Sequence, residues 1–175
     1  MLKTGIAHNM TISPDLFKSA MRQLASGVCL VTTADADGRR SGLTATAVCS
    51  VSAEPPLLLV CVNQGNSSYG AIRDSACFTV NVLDVADLEL AERFGGAVSG
   101  DARFERGAWT TQLTGAPSLA SALAAFDCEL VDMSDMGSHG VFFGRVVSVQ
   151  LGAEGGGPLL YGAGRYGRLG NLSDI

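Results

Sequence analysis

Apolar and polar positions along the 175-residue chain change period several times, and each change marks an element. Leu16, Phe17, Ala20, Met21 and Leu24 recur at helical spacing behind Ser13, Pro14 and Asp15, a helix start whose apolar face should pack on a sheet. Past Gly27, residues 28–33 are apolar and β-branched and stop at a turn holding Asp37 and Gly38, the signature of a strand entering a hairpin. Residues 41–52 stay extended but small and polar, and Pro55 and Pro56 break them from an apolar strand over 57–62. An Asn/Gly/Ser loop over 63–68 leads to a short helix over 69–74 and a strand over 77–83. Asp84 or Asp87 then begins a helix carrying Leu88, Leu90, Ala91 and Phe94, ended by Gly95 and Gly96. Residues 97–116 have no clean period and read as irregular, anchored by Phe104 and Trp109. Strands over 126–132 and 140–151 bracket a loop at 133–139, and a glycine-rich turn over 152–157 precedes a last strand at 159–161.

Many short strands, tight turns and two or three peripheral helices predict an all-β fold closed as an antiparallel barrel, in one domain spanning 1–175. Composition agrees, with 22 glycines against 6% aromatic residues. A net charge of −5 provides no basic stripe, so no nucleic acid and no anionic membrane is expected as partner, and a small molecule is the better default. The first ten residues lack a signal-peptide core and no apolar run is long enough to span a bilayer, which predicts a cytoplasmic protein. The five cysteines contain no C-x-x-C pair and read mostly as small buried hydrophobes. Asparagine acceptor tripeptides at Asn9, Asn66 and Asn171 carry no meaning in that compartment.

Gly162, Gly164 and Gly167 satisfy G-x-G-x-x-G, but the chain ends eight residues later, too soon for the helix, second strand and acidic residue of a Rossmann unit. The only histidines are His8 and His139, and hydrolase elbows, zinc motifs and phosphate loops are absent, so hydrolytic and metal chemistry lack their residues. GLTATAVCSVSAEPP, from Gly42 to Pro56, is dense in small hydroxyl residues for a strand beside a core. One reading is an edge strand whose hydroxyls face water. The other is a cradle of backbone N–H groups and hydroxyls for the polar edge of a flat ring, where small side chains permit close approach. Asn66, Ser67 and Ser68 open the helix over 69–74 as ordinary caps or as a phosphate-binding terminus. His139, in the stretch from Met136 to Gly140, is a structural histidine or a ligand contact at a strand entrance. Arg165, Tyr166 and Arg168 form a solvated tail or a group that embraces phosphates.

Taken together, the F-x-x-A-M opening at Phe17 to Met21, GLTATAVCSVSAEPP, LLLVCVN at Leu57 to Asn63, FTVNVL at Phe78 to Leu83, FDCEL at Phe126 to Leu130 and GSHGVFFGRV from Gly137 resemble the flavin reductase-like family. In particular they resemble the reductase components of two-component aromatic hydroxylases such as 4-hydroxyphenylacetate 3-monooxygenase, and pyrimidine oxygenase reductases look similar. The resemblance implies a split, Greek-key β-barrel, a homodimer with flavin near the subunit interface, and hydride transfer from C4 of NADH or NADPH to N5 of FMN or FAD with the rings stacked. The reduced flavin would then pass to a flavin-dependent monooxygenase component. By that likeness Thr44, Ala45, Thr46, Ser50, Ser52, Ser67 and Ser68 bind the flavin, His139, Tyr166 and Arg168 bind the nicotinamide dinucleotide, and no side chain acts as a nucleophile. A bulky substitution at Ala45 should then abolish flavin binding with the fold intact. The alternative on the same barrel is a flavin-binding carrier without turnover. A pyridoxamine phosphate oxidase would carry more basic residues, and an oligonucleotide-binding barrel a cationic, aromatic groove.

Overall fold

The computed structural model describes residues 12–153 and 155–170; His8, Asn9 and Asn171 lie outside them. Helix α1 (Pro14–Met21), capped by Ser13 Oγ accepting from the Leu16 N–H at 3.2 Å, leads through a two-residue strand β1 (Ser26–Gly27) to β2 (Cys29–Ala34). Along β2, Cys29 and Val31 enter one core while Leu30, like Val28 just before the strand, enters another, as expected when successive side chains leave opposite faces. Then come β3 (Arg40–Ala45), β4 (Val48–Ala53), β5 (Pro56–Asn63), helix α2 (Tyr69–Ser75) and β6 (Cys77–Val82). A short turn of helix and α3 (Leu88–Glu92) run into a π-turn at Arg93–Ala97 and a 3-10 turn at Gly100–Glu105. Strands β7 (Trp109–Thr111), β8 (Pro117–Leu119), β9 (Ala124–Met136), β10 (His139–Leu151), β11 (Leu159–Gly162) and β12 (Arg165–Arg168) complete the chain.

Seven strands form one antiparallel sheet in the order β3-β2-β6-β9-β10-β5-β4. Its two edges, β3 and β4, are consecutive in the chain and joined only by Thr46 and Ala47. A flat sheet would hold those edges roughly 29 Å apart at about 4.8 Å per strand, whereas three Cα steps reach about 11 Å. The sheet must therefore curl until its edges meet, and the result is the split antiparallel barrel expected from the sequence. Inside it pack Val31, Leu43, Ala45, Leu58, Val60, Val62, Phe78, Val80, Cys128 and Phe142. Helix α2 plugs one end: Ile72 is buried in this core and the Tyr69 ring meets Phe142 edge-on at 5.3 Å. Gly140 makes that seat possible, since a Cβ there would stand 2.7 Å from Tyr69 Cε2.

A second layer covers the outside of β3, β2, β6 and the first half of β9. Val28, Leu30, Leu83, Leu90, Ala91, Phe94, Phe104 and Leu119 form its apolar part. A buried polar net forms the rest: Asn81 Nδ2 donates to Leu30 O and Thr32 Oγ1, Asn81 Oδ1 accepts from Leu119 N, and Asp127 accepts from the Thr114 N–H and hydroxyl. Each buried polar group thus replaces its lost water, which fixes the β7–β8 hairpin on the sheet. Among the described residues the outside of β10 and β5 has no such cover; Leu59, Cys61, Val141 and Phe143 stand half-buried there and belong to neither core.

Four sequence expectations change. The extended stretch 41–52 is two strands on opposite edges of the sheet, because Thr46 and Ala47 turn the barrel corner. Residues 133–136 and His139 are strand, not loop, since β9 and β10 pair out to Met136↔His139. The glycine triplet falls in a β-hairpin, with β11 pairing β12 around Ala163 (φ 50°) and Gly164 (φ 78°), so a further strand stands where a tail was expected. Helix α1 buries no residue: Leu16, Phe17 and Met21 remain exposed.

Candidate functional site

The hydroxyl-rich segment crosses the barrel corner, and the corner sorts its residues by direction. Leu43 and Ala45 of β3 point into the barrel, so Thr44 between them points out. Thr44 Oγ1 donates to Ala91 O at 2.6 Å, tying β3 to α3. The Gly42 carbonyl faces away from β2, where it accepts from Arg103 Nη1 at 2.7 Å and Ser68 Oγ at 2.9 Å. Backbone groups repeat every second residue on a strand edge, so the Thr44 N–H faces the same open side, and among the described residues nothing accepts from it.

Beyond Thr44 the chain enters a groove of about 390 Å³ floored by Thr46 and Ala47 and walled by Phe17, Met21, Arg22 and Tyr161. Tyr161 and Tyr166 meet edge-on at 5.1 Å, and a side chain at Gly95 would lie 3.8 Å from Thr44 Oγ1 and 4.0 Å from the Tyr166 hydroxyl. Thr44, Thr46 and Tyr166 are therefore neighbours around one corner, with Tyr161 and Gly95 as members the sequence reading missed. Burial pushes the Tyr166 phenol above its ordinary range, and the negative charge of Glu92 adds to that, so it stays a neutral donor.

The remaining candidates are elsewhere. Ser50 and Ser52 line an apolar groove of about 290 Å³ at the end of the barrel opposite α2, with Val48, Leu57, Val80 and Phe126. Ser67 is exposed in the turn before α2, and His139 lies beside it: β10 pairs His139 with Asn63, and Gln64 N donates to Ser138 O at 3.0 Å. His139 Nδ1 and Ser138 Oγ are 2.9 Å apart, leaving Nε2 toward solvent. Arg168 is exposed on a shallow groove that it shares with Val85, Leu88 and Tyr166, so Tyr166 stands between that groove and the corner.

Two expectations need correction. Ser68 is fully buried; its hydroxyl donates to Gly42 O and accepts from Ser41 Oγ, so it is occupied in holding α2 to β3 and cannot also bind a phosphate. Ala45 is 7% exposed with its methyl in the barrel core, so a bulky residue there would overfill the core and could not spare the fold. Any ligand contact at position 45 runs through its backbone. Arg103 was missed altogether, because nothing in an aperiodic segment signals that one arginine turns inward.

The corner fits a planar heterocycle with acceptor atoms on one edge: an unpaired strand-edge donor, small side chains at Thr46 and Ala47, and aromatic and apolar walls. Comparison with known proteins agrees. Residues 21–170 match the family model described as flavin reductase like domain. Over 139 residues the chain is 45% identical to the FMN reductase (NADH) RutF of Bradyrhizobium diazoefficiens, covering 79% of this chain and 77% of that protein. Over 160 residues it is 46% identical to the FMN reductase (NADH) RutF 2 of Methylorubrum extorquens, covering 90% of each. The crystal structure of a nitrilotriacetate monooxygenase component B homologue from Mycobacterium thermoresistibile superposes with a TM-score of 0.85 at 29% identity, over 92% of this chain and 90% of that one.

Proposed function

The chain belongs to the flavin reductase-like family, and from that premise we propose that it is an NADH-dependent FMN reductase that supplies reduced flavin to a monooxygenase component. The observation that carries this reading is the barrel corner, a groove lined by Thr46, Ala47 and Tyr161, with the Tyr166 ring packed on Tyr161 and Thr44, whose N–H has no acceptor among the described residues, just ahead in the chain. The relatives named above as FMN reductases (NADH) support the choice of flavin and nicotinamide. The neighbour named as a monooxygenase component supports the choice of acceptor.

The cofactor pair supplies the chemistry, transfer of a hydride from nicotinamide C4 to flavin N5. The chain binds and orients. The Thr44 N–H and the Thr46 hydroxyl donate to the polar edge of the flavin, Ala47 lets the ring lie close to the backbone, and Phe17 and Met21 keep bulk water from one side. No side chain need exchange a proton with the hydride. His139, with Nε2 free, serves the nicotinamide end, and Ser67 beside it meets a phosphate. We further propose that a second copy of the chain covers Leu59, Cys61, Val141 and Phe143, an apolar strip that belongs to neither core and that no layer among the described residues overlies.

The deciding experiment mixes purified protein with NADH or NADPH and with riboflavin, FMN or FAD, and follows nicotinamide oxidation. Flavin-dependent turnover fastest with NADH and FMN is expected; binding of flavin without turnover would leave only the carrier. Replacing His139 with alanine should raise the NADH KM several-fold and leave FMN affinity unchanged, and an unaltered NADH KM removes His139 from the site.

A further inference from the structure

The open edge of β3 is the part of the candidate site that the barrel alone does not steady, since an edge strand has a hydrogen-bonded neighbour on one side only. Three attachments hold it before it reaches the corner. Arg40 forms a two-point pair with Asp101 at 2.8 and 2.9 Å, Ser41 donates to Ser68, and Gly42 O accepts from both Ser68 and Arg103. Two of the three come from the 3-10 turn Gly100–Glu105, which carries none of the residues assigned to cofactors above.

Arg103 is the unusual member. It is 8% exposed and among the described residues has no carboxylate within 4.0 Å; Asp101 is taken by Arg40, and Glu105 lies 3.8 Å from Arg93. Its guanidinium is spent on two carbonyls, Nε on Val98 O at 2.8 Å and Nη1 on Gly42 O at 2.7 Å. Burying a cation without a counter-charge is costly, and an apolar residue would fill the same volume more cheaply. A planar fork with divergent donors does what no apolar residue can, joining the backbone of the turn to the backbone of the strand at a fixed distance.

We propose that Arg103 is a positioning residue for flavin binding, holding the free edge of β3 where it presents Thr44 and Thr46 to the flavin. It touches neither cofactor and acts through Gly42, two residues ahead of Thr44. The inference rests on the flavin reading of the corner.

The test compares Arg103→Met and Arg103→Lys with the unaltered chain, measuring FMN affinity by fluorescence quenching, the visible circular dichroism of bound FMN, and kcat and KM for both substrates. Arg103→Met should weaken FMN binding and raise its KM roughly tenfold, because a strand displaced by a fraction of an ångström misaligns its donors. The visible dichroism should change, the NADH KM should stay within roughly twofold, and lysine, which reaches one carbonyl, should restore part of the loss. Wild-type FMN affinity and dichroism in folded Arg103→Met overturns the proposal, as does an equal rise in both KM values, the mark of a merely loosened fold. If the methionine variant does not fold, Arg103→Lys decides on the same two readouts. Should the unaltered chain bind no FMN, the flavin reading falls instead. Faster amide exchange at residues 42–46 in the variants would then still report the strand held by Arg103.

Discussion

The two outer halves of the barrel belong to one sheet yet are finished differently. Outside β2 and β6, every position finds a partner within the chain: Leu30 meets the layer carried by α3, and Thr32 and Asn81 bond the β7–β8 hairpin. Outside β5 and β10, Leu59, Cys61, Val141 and Phe143 have no such layer among the described residues, and neither does the apolar face of α1. Strand alternation alone would make both halves polar outward, yet the covered half presents Thr32 and Asn81 where the other presents Leu59, Cys61, Val141 and Phe143. The cover differs with them, internal on one side and, by our proposal, a second copy on the other. The corner lies where the two halves meet, between β3, clamped by the 3-10 turn and Ser68, and β4, which pairs with β5.

Breaking the covered half should cost most. Phe94 is 2% exposed and touches Phe104 and Trp109 at centroid distances of 5.0 and 5.7 Å, so Phe94→Ala should lose about 3–5 kcal/mol in urea unfolding. Gly42→Ala comes next: the new methyl would stand 2.9 Å from Phe94 Cε1 and 3.0 Å from the Val31 carbonyl, costing about 1–3 kcal/mol and weakening FMN binding. On the bare half, Phe143→Glu should change unfolding of the single chain by no more than about 0.5–1 kcal/mol. It should nevertheless lower the sedimenting mass from two chains to one. A monomeric unaltered chain would sink the proposed second copy.

Smaller effects sharpen the same contrast. Asp87, at the start of α3, has its pKa raised by burial, only partly offset by the hydrogen bond from Ser121. A raised carboxyl stabilises most when protonated, so its contribution is full below the ordinary aspartate range and is lost as pH rises through the higher folded value. The Tm advantage of Asp87→Asn should therefore grow from pH 4 to pH 7; an advantage independent of pH would refute the shift. Burial pushes the Cys29 thiol up to about 11 and the Cys128 thiol up to about 12, so both should resist alkylation until the chain unfolds. Cys49 is exposed and Cys61 half-buried on the bare half, so they should label first, and more slowly at concentrations that favour association.

Much of this was readable in advance, and the misreadings share one cause. Helix α1, β2, α2, β6 and the start of α3 follow from spacing, caps and turn residues within a few positions of each other. The G-x-G-x-x-G triplet sits in the β11–β12 hairpin, a pairing that its own spacing does not signal. The end of β9 was read as loop because Ser134, Asp135 and Gly137 favour turns, yet pairing with β10 overrides local preference. Arg103 and Tyr161 carry no local signal at all.

The order of apolar and polar residues by itself determined an antiparallel β fold, its helices and the presence of one segment too rich in small hydroxyls to be ordinary core. Only the tertiary structure decided which of those groups remain free. Ser68 and Thr44 spend their hydroxyls on Gly42 and Ala91, Ala45 turns inward, and the Thr44 N–H stays open. The reason is that each partner lies 26 to 61 residues away in sequence, as Ser68 and Arg103 do from Gly42. Hydrogen-bond capacity is a property of the residue, whereas its expenditure is set by whatever the closing barrel brings beside it.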